Sequence, residues 1–317
     1  MKKSVKIGLN ILGLAAASFV GVGGLLASQA VDRDAKIMQK AFKFFSPEED
    51  PNFSKEKLDE NEKWVLDHGA EEFTMTSFDG KKMRSVFLPA EKESDVYVLC
   101  AHGYRGSIYG DYGLQSRFYH ELGFNVILVE QRATQNSEGD YIGFGYYEYQ
   151  DCLLWLDYYM EKFGKDIRFI VCGISMGGAT VCMMSGEPSL PENVKFIVSD
   201  CAYTSANDEV NYCFPYYVHI PAEPWLSFVN LVNSKRAGYS FDMANPILAV
   251  KNAKVPMLFI HGGDDDFVPT SMVYELYDAC SAPKDLLIVD GAKHAASYFI
   301  DPESYQNKVK KYIDKYI

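Results

Sequence analysis

The chain has 317 residues, 48% hydrophobic and 14% aromatic, which suits a large core and excludes a disordered, collagen-like or small disulfide-scaffolded protein. Lysine and arginine total 31 against 43 aspartates and glutamates, a net charge of −12. That balance excludes binding to nucleic acid or anionic lipid through a concentrated basic surface, and the length fits one large α/β domain or two smaller ones.

Residues 1–30 differ from the rest. Lys2, Lys3 and Lys6 precede an uncharged run from Ile7 to Val31; without those three lysines, 28 basic residues face 43 acidic ones, a net −15. A helix of that length reaches about 37 Å, enough for a hydrocarbon core of about 30 Å. Besides a buried soluble helix, the segment reads as a membrane anchor or, since Ser28-Gln29-Ala30 offers small residues for cleavage, as a signal peptide. For an anchor or a signal, the lysines predict a cytoplasmic N-terminus and an extracytoplasmic domain, single-pass and membrane-tethered or secreted. Residues 31–70 read as a helical or linker segment.

From Glu71 the pattern changes. Glu71–Ser77, Asp79-Gly80 and Lys82–Leu88 predict an antiparallel hairpin with a DG turn. Short apolar runs then recur at Val96–Cys100, Val126–Val129, Phe169–Cys172, Phe196–Val198, Met257–Ile260 and Leu286–Val289. Continuous apolarity means burial on both faces, and most gaps have room for a crossover helix. The expectation is a mostly parallel sheet flanked by helices over residues 71–317. Tyr305, Val309, Tyr312, Ile313 and Tyr316 share one face of a final helix. Nearly sixty residues separate two of the runs, too many for a structureless loop, so an inserted helical cap is expected at about 205–254. Its aromatics Tyr212, Phe214, Tyr216, Tyr217, Trp225 and Phe228 either line an apolar pocket or hold the cap to the body. The seven cysteines include no CxxC pair and read as buried free thiols, in tension with an oxidising compartment.

Phe169–Cys172 leads into Gly173-Ile174-Ser175-Met176-Gly177, a GxSxG between a predicted strand and a predicted helix over Met176–Ser185. That setting lifts a serine above a sheet, and small flanking residues let strand and helix come close. A serine needs a base, almost always histidine, oriented by an acid. Of His68, His102, His120, His219, His261 and His294, only His294 follows the last strand in a loop at the carboxyl edge, where ligands collect in open parallel sheets. Asp264, Asp265 and Asp266 follow the preceding strand, and Asp200 ends another; spacing does not choose among them. The three adjacent aspartates lack the alternating ligands and closing glutamate of a hard-cation loop. Backbone N–H groups of Met176 and of Tyr104, in Ala101-His102-Gly103-Tyr104-Arg105-Gly106, are the candidates to stabilise an oxyanion.

These segments together resemble an α/β-hydrolase over about residues 70–317. More narrowly, they are similar to bacterial membrane-anchored hydrolases related to serine aminopeptidases and to the prolyl oligopeptidase catalytic domain. The resemblance rests on His102-Gly103-Tyr104, Gly173–Gly178, His261-Gly262-Gly263-Asp264-Asp265-Asp266-Phe267-Val268-Pro269 and Gly291-Ala292-Lys293-His294. It implies Asp265 as the acid, hence a triad of Ser175, Asp265 and His294, with no metal or organic cofactor. One departure stands after Gln131-Arg132, where Ala133-Thr134-Gln135-Asn136 replaces the Gly/His-rich turn of relatives. The expected activity is ester hydrolysis through an acyl-enzyme on a small-molecule substrate. The alternatives are a serine peptidase of aminopeptidase type and a non-catalytic membrane-tethered binding protein.

Overall fold

A strand buried on both sides must be apolar at every position, because successive side chains point to opposite faces. In the computed structural model, which describes residues 21–37, 54–219 and 221–317, the first five apolar runs are such strands, and Leu286–Val289 is a partly buried edge strand. The hairpin supplies β1 (Glu71–Thr76) and β2 (Lys82–Leu88). The six runs become β3 (Val96–Ala101), β4 (Asn125–Glu130), β5 (Arg168–Ile174), β6 (Val194–Asp200), β7 (Met257–Gly262) and β8 (Lys284–Val289). They form one eight-stranded sheet in the order β1-β2-β4-β3-β5-β6-β7-β8. β2 runs antiparallel to both β1 and β4; the pairings from β4 to β8 are parallel. Along β5, Phe169 and Val171 enter one core while Ile170, Cys172 and Ile174 enter the other.

Helices cover both faces. In chain order they are α1 (Lys55–Asp67), α2 (Ile108–Glu121), α3 (Glu148–Phe163), α4 (Met176–Ser185), α5 (Ala206–Cys213), α6 (Trp225–Arg236), α7 (Pro246–Val250), α8 (Thr270–Ala279), α9 (Ser297–Ile300) and α10 (Pro302–Tyr316). Trp155 and Tyr159 of α3, Met184 of α4 and Leu276 of α8 fill one core. Tyr112 and Tyr119 of α2 fill the other, with Tyr305, Val309 and Tyr312 of α10.

The segment between β6 and β7 is helical: α5, a π-helical turn Phe214–Val218, α6, a 3-10 turn Phe241–Met243 and α7. Its attachment uses residues other than most of those singled out above. The Tyr203, Tyr239 and Tyr147 hydroxyls donate to the carbonyls of Phe144, Ile142 and Ala237, and Phe241 packs edge-on against Phe144. Phe214 is buried in this cluster with Trp225 packed against it, whereas Tyr212 and Tyr216 stack on each other, Tyr216 largely exposed. The Tyr217 side chain lies outside the described residues.

The N-terminal reading divides. Residues 1–20 and 38–53 lie outside the described residues, and among those described no helix is long and apolar enough to cross a membrane. Residues 21–31 are helical, and Ala27 and Val31 are fully buried against the cap cluster. The end of the apolar run is thus packed on protein.

The departure after Gln131 coincides with a buried ion pair. Arg132 holds Asp151 of α3 through Nε (2.8 Å) and Nη2 (3.0 Å), and its Nη2 also donates to Ser77 beyond β1. Both side chains are nearly inaccessible, at 4% and 2%. Removing Asp151 leaves the buried Arg132 with the partly exposed Asp79, at 3.2 Å, as its remaining ion pair in an otherwise dry site. Asp151→Ala is therefore expected to cost about 3–5 kcal/mol in urea-denaturation experiments; a loss below about 1 kcal/mol would contradict this role for the pair.

Candidate active site

The site starts from a backbone constraint. β5 passes into α4 with no intervening loop, so Ser175 takes φ 56° and ψ −117°, a region costly for any residue with a Cβ. Close approach on both sides makes the turn. A Cβ on Gly173 would lie 2.0 Å from the Gly177 carbonyl oxygen, and one on Gly177 would lie 1.9 Å from that of Ala101. Only glycine fits at either position. The Ser175 N–H donates to the Asp200 carbonyl (2.9 Å), tying the turn to the end of β6. Met176 opens α4, so its N–H has no intrahelical acceptor.

Two further loops converge at the same edge of the sheet. The loop after β7 and the loop after β8 are joined by Gly263 N–H to Val289 O (2.8 Å) and Asp264 N–H to Ala292 O (3.0 Å). This brings Asp265 and His294 together. His294 Nδ1 lies 2.8 Å from Asp265 Oδ2, and His294 Nε2 lies 2.8 Å from Ser175 Oγ. A neutral imidazole protonated at Nδ1 satisfies both contacts, donating to the carboxylate and accepting from the serine hydroxyl. Phe267 packs against the imidazole, its ring centre 4.9 Å away.

Local chemistry separates the four candidate acids. Asp264 and Asp266 are exposed. Asp265 is buried, and its Oδ1 accepts from the Phe267 (3.0 Å) and Val268 (2.9 Å) N–H groups. His261 lies 3.2 Å from its Oδ2 and also donates from Nε2 to the Val268 carbonyl. Burial opposes ionisation of Asp265, but His294 and His261 beside it hold its pKa well below the usual carboxylate range. Asp200 is fully buried with Oδ1 unpartnered, and burial pushes its pKa up to about 7. It contributes its backbone rather than its carboxylate.

His102 is a peg under the Tyr104 loop. Its Nδ1–H donates to the Gly103 carbonyl (2.8 Å) while Nε2 accepts from the Gln131 N–H (3.1 Å), which fixes a neutral tautomer; burial lowers its pKa. Asp111 of α2 accepts from the Gly103 N–H (2.6 Å). The Tyr104 amide therefore lies in a loop fixed from beneath, on β3 beside β5.

Three residues near the triad escape sequence reasoning. Cys201 is fully buried, and its sulfur lies with ligand atoms of Asp265 and His294 inside a 4.8 Å cluster. Such a Cys/Asp/His set suits a soft divalent metal, but both imidazole nitrogens are committed to the triad, and burial pushes the thiol up to about 11. Glu209 of α5 is buried with Oε2 unpartnered; burial pushes it up to about 8. In the sequence it reads as a first-turn acid behind the Ser205 cap, with nothing to mark it as buried. Arg105 reads as a surface cation, yet its guanidinium clasps residues 29–33.

Comparison with known proteins agrees with this fold. The sequence profile described as alpha/beta hydrolase fold matches residues 96–245. The Bacillus subtilis protein YqkD, itself uncharacterized, is 26% identical over 242 residues, 76% of this chain and 78% of its own. Among solved structures, the Pyrococcus furiosus esterase Pf2001 superposes with a TM-score of 0.65 at 20% identity, covering 79% of this chain and 92% of the esterase. The Pyrococcus horikoshii acylaminoacyl peptidase gives 0.58 at 16% identity, covering 77% of this chain and 40% of the peptidase. These likenesses show the α/β-hydrolase fold for this chain.

Burial disfavours the His294 imidazolium, while the Asp265 carboxylate at Nδ1 favours it, and the balance raises its pKa above the ordinary value. Ring-nitrogen NMR is expected to find His294 titrating above about 6.5. Because Asp265 favours the protonated ring, Asp265→Asn should move that titration down. A wild-type pKa at or below the ordinary value, or one unchanged by the substitution, would contradict this pairing.

Proposed function

We propose that the chain is a serine hydrolase that cleaves carboxylic esters through an acyl-enzyme. The observation that carries this reading is the continuous hydrogen-bonded line from Ser175 through His294 to Asp265, on a serine held at φ 56°. The Ser175 oxygen attacks the ester carbonyl as its proton passes to His294 Nε2, and Asp265 holds the resulting imidazolium. The Tyr104 and Met176 N–H groups receive the negative oxygen of the tetrahedral intermediate. Collapse expels the alcohol, which takes the proton from His294. Water then attacks the acyl-enzyme with His294 as base, releasing the acid and restoring the serine. No metal or organic cofactor takes part in this scheme.

The ester reading is placed ahead of the peptidase one because the esterase structure is matched over 92% of its length and the peptidase over 40%. A fluorophosphonate probe is expected to label wild-type protein at Ser175 and to leave Ser175→Ala unlabelled. Ser175→Ala and His294→Ala should each lower kcat/KM for a short-chain aryl ester by roughly 10⁴–10⁶-fold. Unimpaired turnover by Ser175→Ala would overturn the proposal, and faster turnover of aminoacyl amides than of esters would favour the peptidase reading.

A further inference from the structure

The helix over residues 21–31 ends with carbonyls that have no intrahelical donors, as every helix does. Here the donors come from the loop that carries the candidate oxyanion amide. Arg105 Nη2 donates to the Asp32 carbonyl (2.7 Å) and, more weakly, to that of Gln29 (3.4 Å), and its Nη1 donates to the Arg33 carbonyl (3.1 Å). The Tyr104 hydroxyl donates to the Ala30 carbonyl (2.6 Å). Arg105 has φ 53°, a left-handed backbone that an L side chain keeps only when its surroundings over-determine it.

The segment is fastened on its other sides as well. The Ile142 N–H donates to the Val31 carbonyl (2.8 Å), and the Arg33 N–H to that of Asp140 (2.9 Å). Arg33 also donates to the Gln135 and Ser137 carbonyls, within and just after the Ala133–Asn136 departure. Arg236 of the cap pairs with Asp32 at 2.9 Å. Ala27, Val31 and Ala35 are buried.

We propose that residues 29–33 are a strap that sets the oxyanion loop His102–Gly106 from above, with Arg105 as its positioning residue. The proposal rests on the serine-hydrolase reading. From below the loop is held by His102 and Asp111; from above the strap's carbonyls hold the Tyr104 hydroxyl and the Arg105 guanidinium, with the Phe144 ring centre 5.2 Å from that of Tyr104. A donor works when it points at the charge that develops in the transition state, and a misplacement of about 1 Å can cost 10²-fold. The strap offers backbone carbonyls, so the clasp does not depend on side-chain identity at Gln29, Ala30 or Asp32. Cleavage after Ala30 would cut the chain among the acceptors that Arg105 and Tyr104 use.

The test uses the full chain. Arg105→Gly removes the clasp while supplying the residue most at ease at positive φ, so the turn and the fold persist. Ala27→Asp unseats the strap far from the loop, and Arg105→Lys returns a cation. Both Arg105→Gly and Ala27→Asp are expected to lower kcat for an aryl ester by about tenfold or more with KM within twofold, and Arg105→Lys to recover part of the loss. Affinity for a boronic acid that mimics the tetrahedral intermediate should fall by the same factor as kcat. An Arg105→Gly protein with an unchanged thermal midpoint and kcat within twofold of wild type would overturn the strap, as would a loss confined to KM. If wild type neither turns over esters nor is labelled at Ser175, the hydrolase reading fails instead.

Discussion

The site depends on how closely α4 approaches the strands beside it. Gly173 and Gly177 leave no room for a Cβ against facing backbone oxygens, and that contact drives Ser175 into a conformation a relaxed chain avoids. The strain has a geometric result. It presents the hydroxyl at the carboxyl edge of a parallel sheet and puts the first N–H of a helix beside it, where the dipole favours negative charge. The sheet repeats this placement: the loops after β3, β7 and β8 end at the same edge, so residues far apart in sequence meet within hydrogen-bond distance of one another.

Electrostatics then assign separate roles to acids of one chemical type. Asp265 stays ionised because two histidines and two backbone N–H groups face it. Asp200 and Glu209, buried with an oxygen unpartnered, are pushed up to about 7 and about 8. The carboxylate that holds a negative charge near neutral pH is thus the one aligned with the imidazole. Environments that push like groups apart in this way are how one fold separates its acid and base roles.

The sheet was legible because burial on both faces leaves a strand no polar positions, and the runs at Val96, Phe169 and Met257 carry that mark. Met176–Ser185 was legible as a helix because the small residues after Ser175 fit only a strand that turns directly into one. Spacing could not choose among three consecutive aspartates. The choice comes from a turn in which Asp265 alone accepts the Phe267 and Val268 N–H groups, a matter of backbone geometry. The N-terminal run was harder still: an apolar stripe that buries Ala27 and Val31 under a cap has the same composition as one that faces lipid. Nor does the sequence mark Arg105, since its acceptors are main-chain carbonyls more than seventy residues away.

The central claim is that Ser175 carries the acyl group between two half-reactions. The direct measurement is rapid-quench mass spectrometry of the wild-type protein mixed with a slowly deacylating aryl ester. The account predicts that one acyl group accumulates on the peptide containing Ser175 in step with a stoichiometric burst of released phenol. Steady ester turnover with no acylated peptide and no burst, persisting in the Ser175→Ala protein, would contradict it.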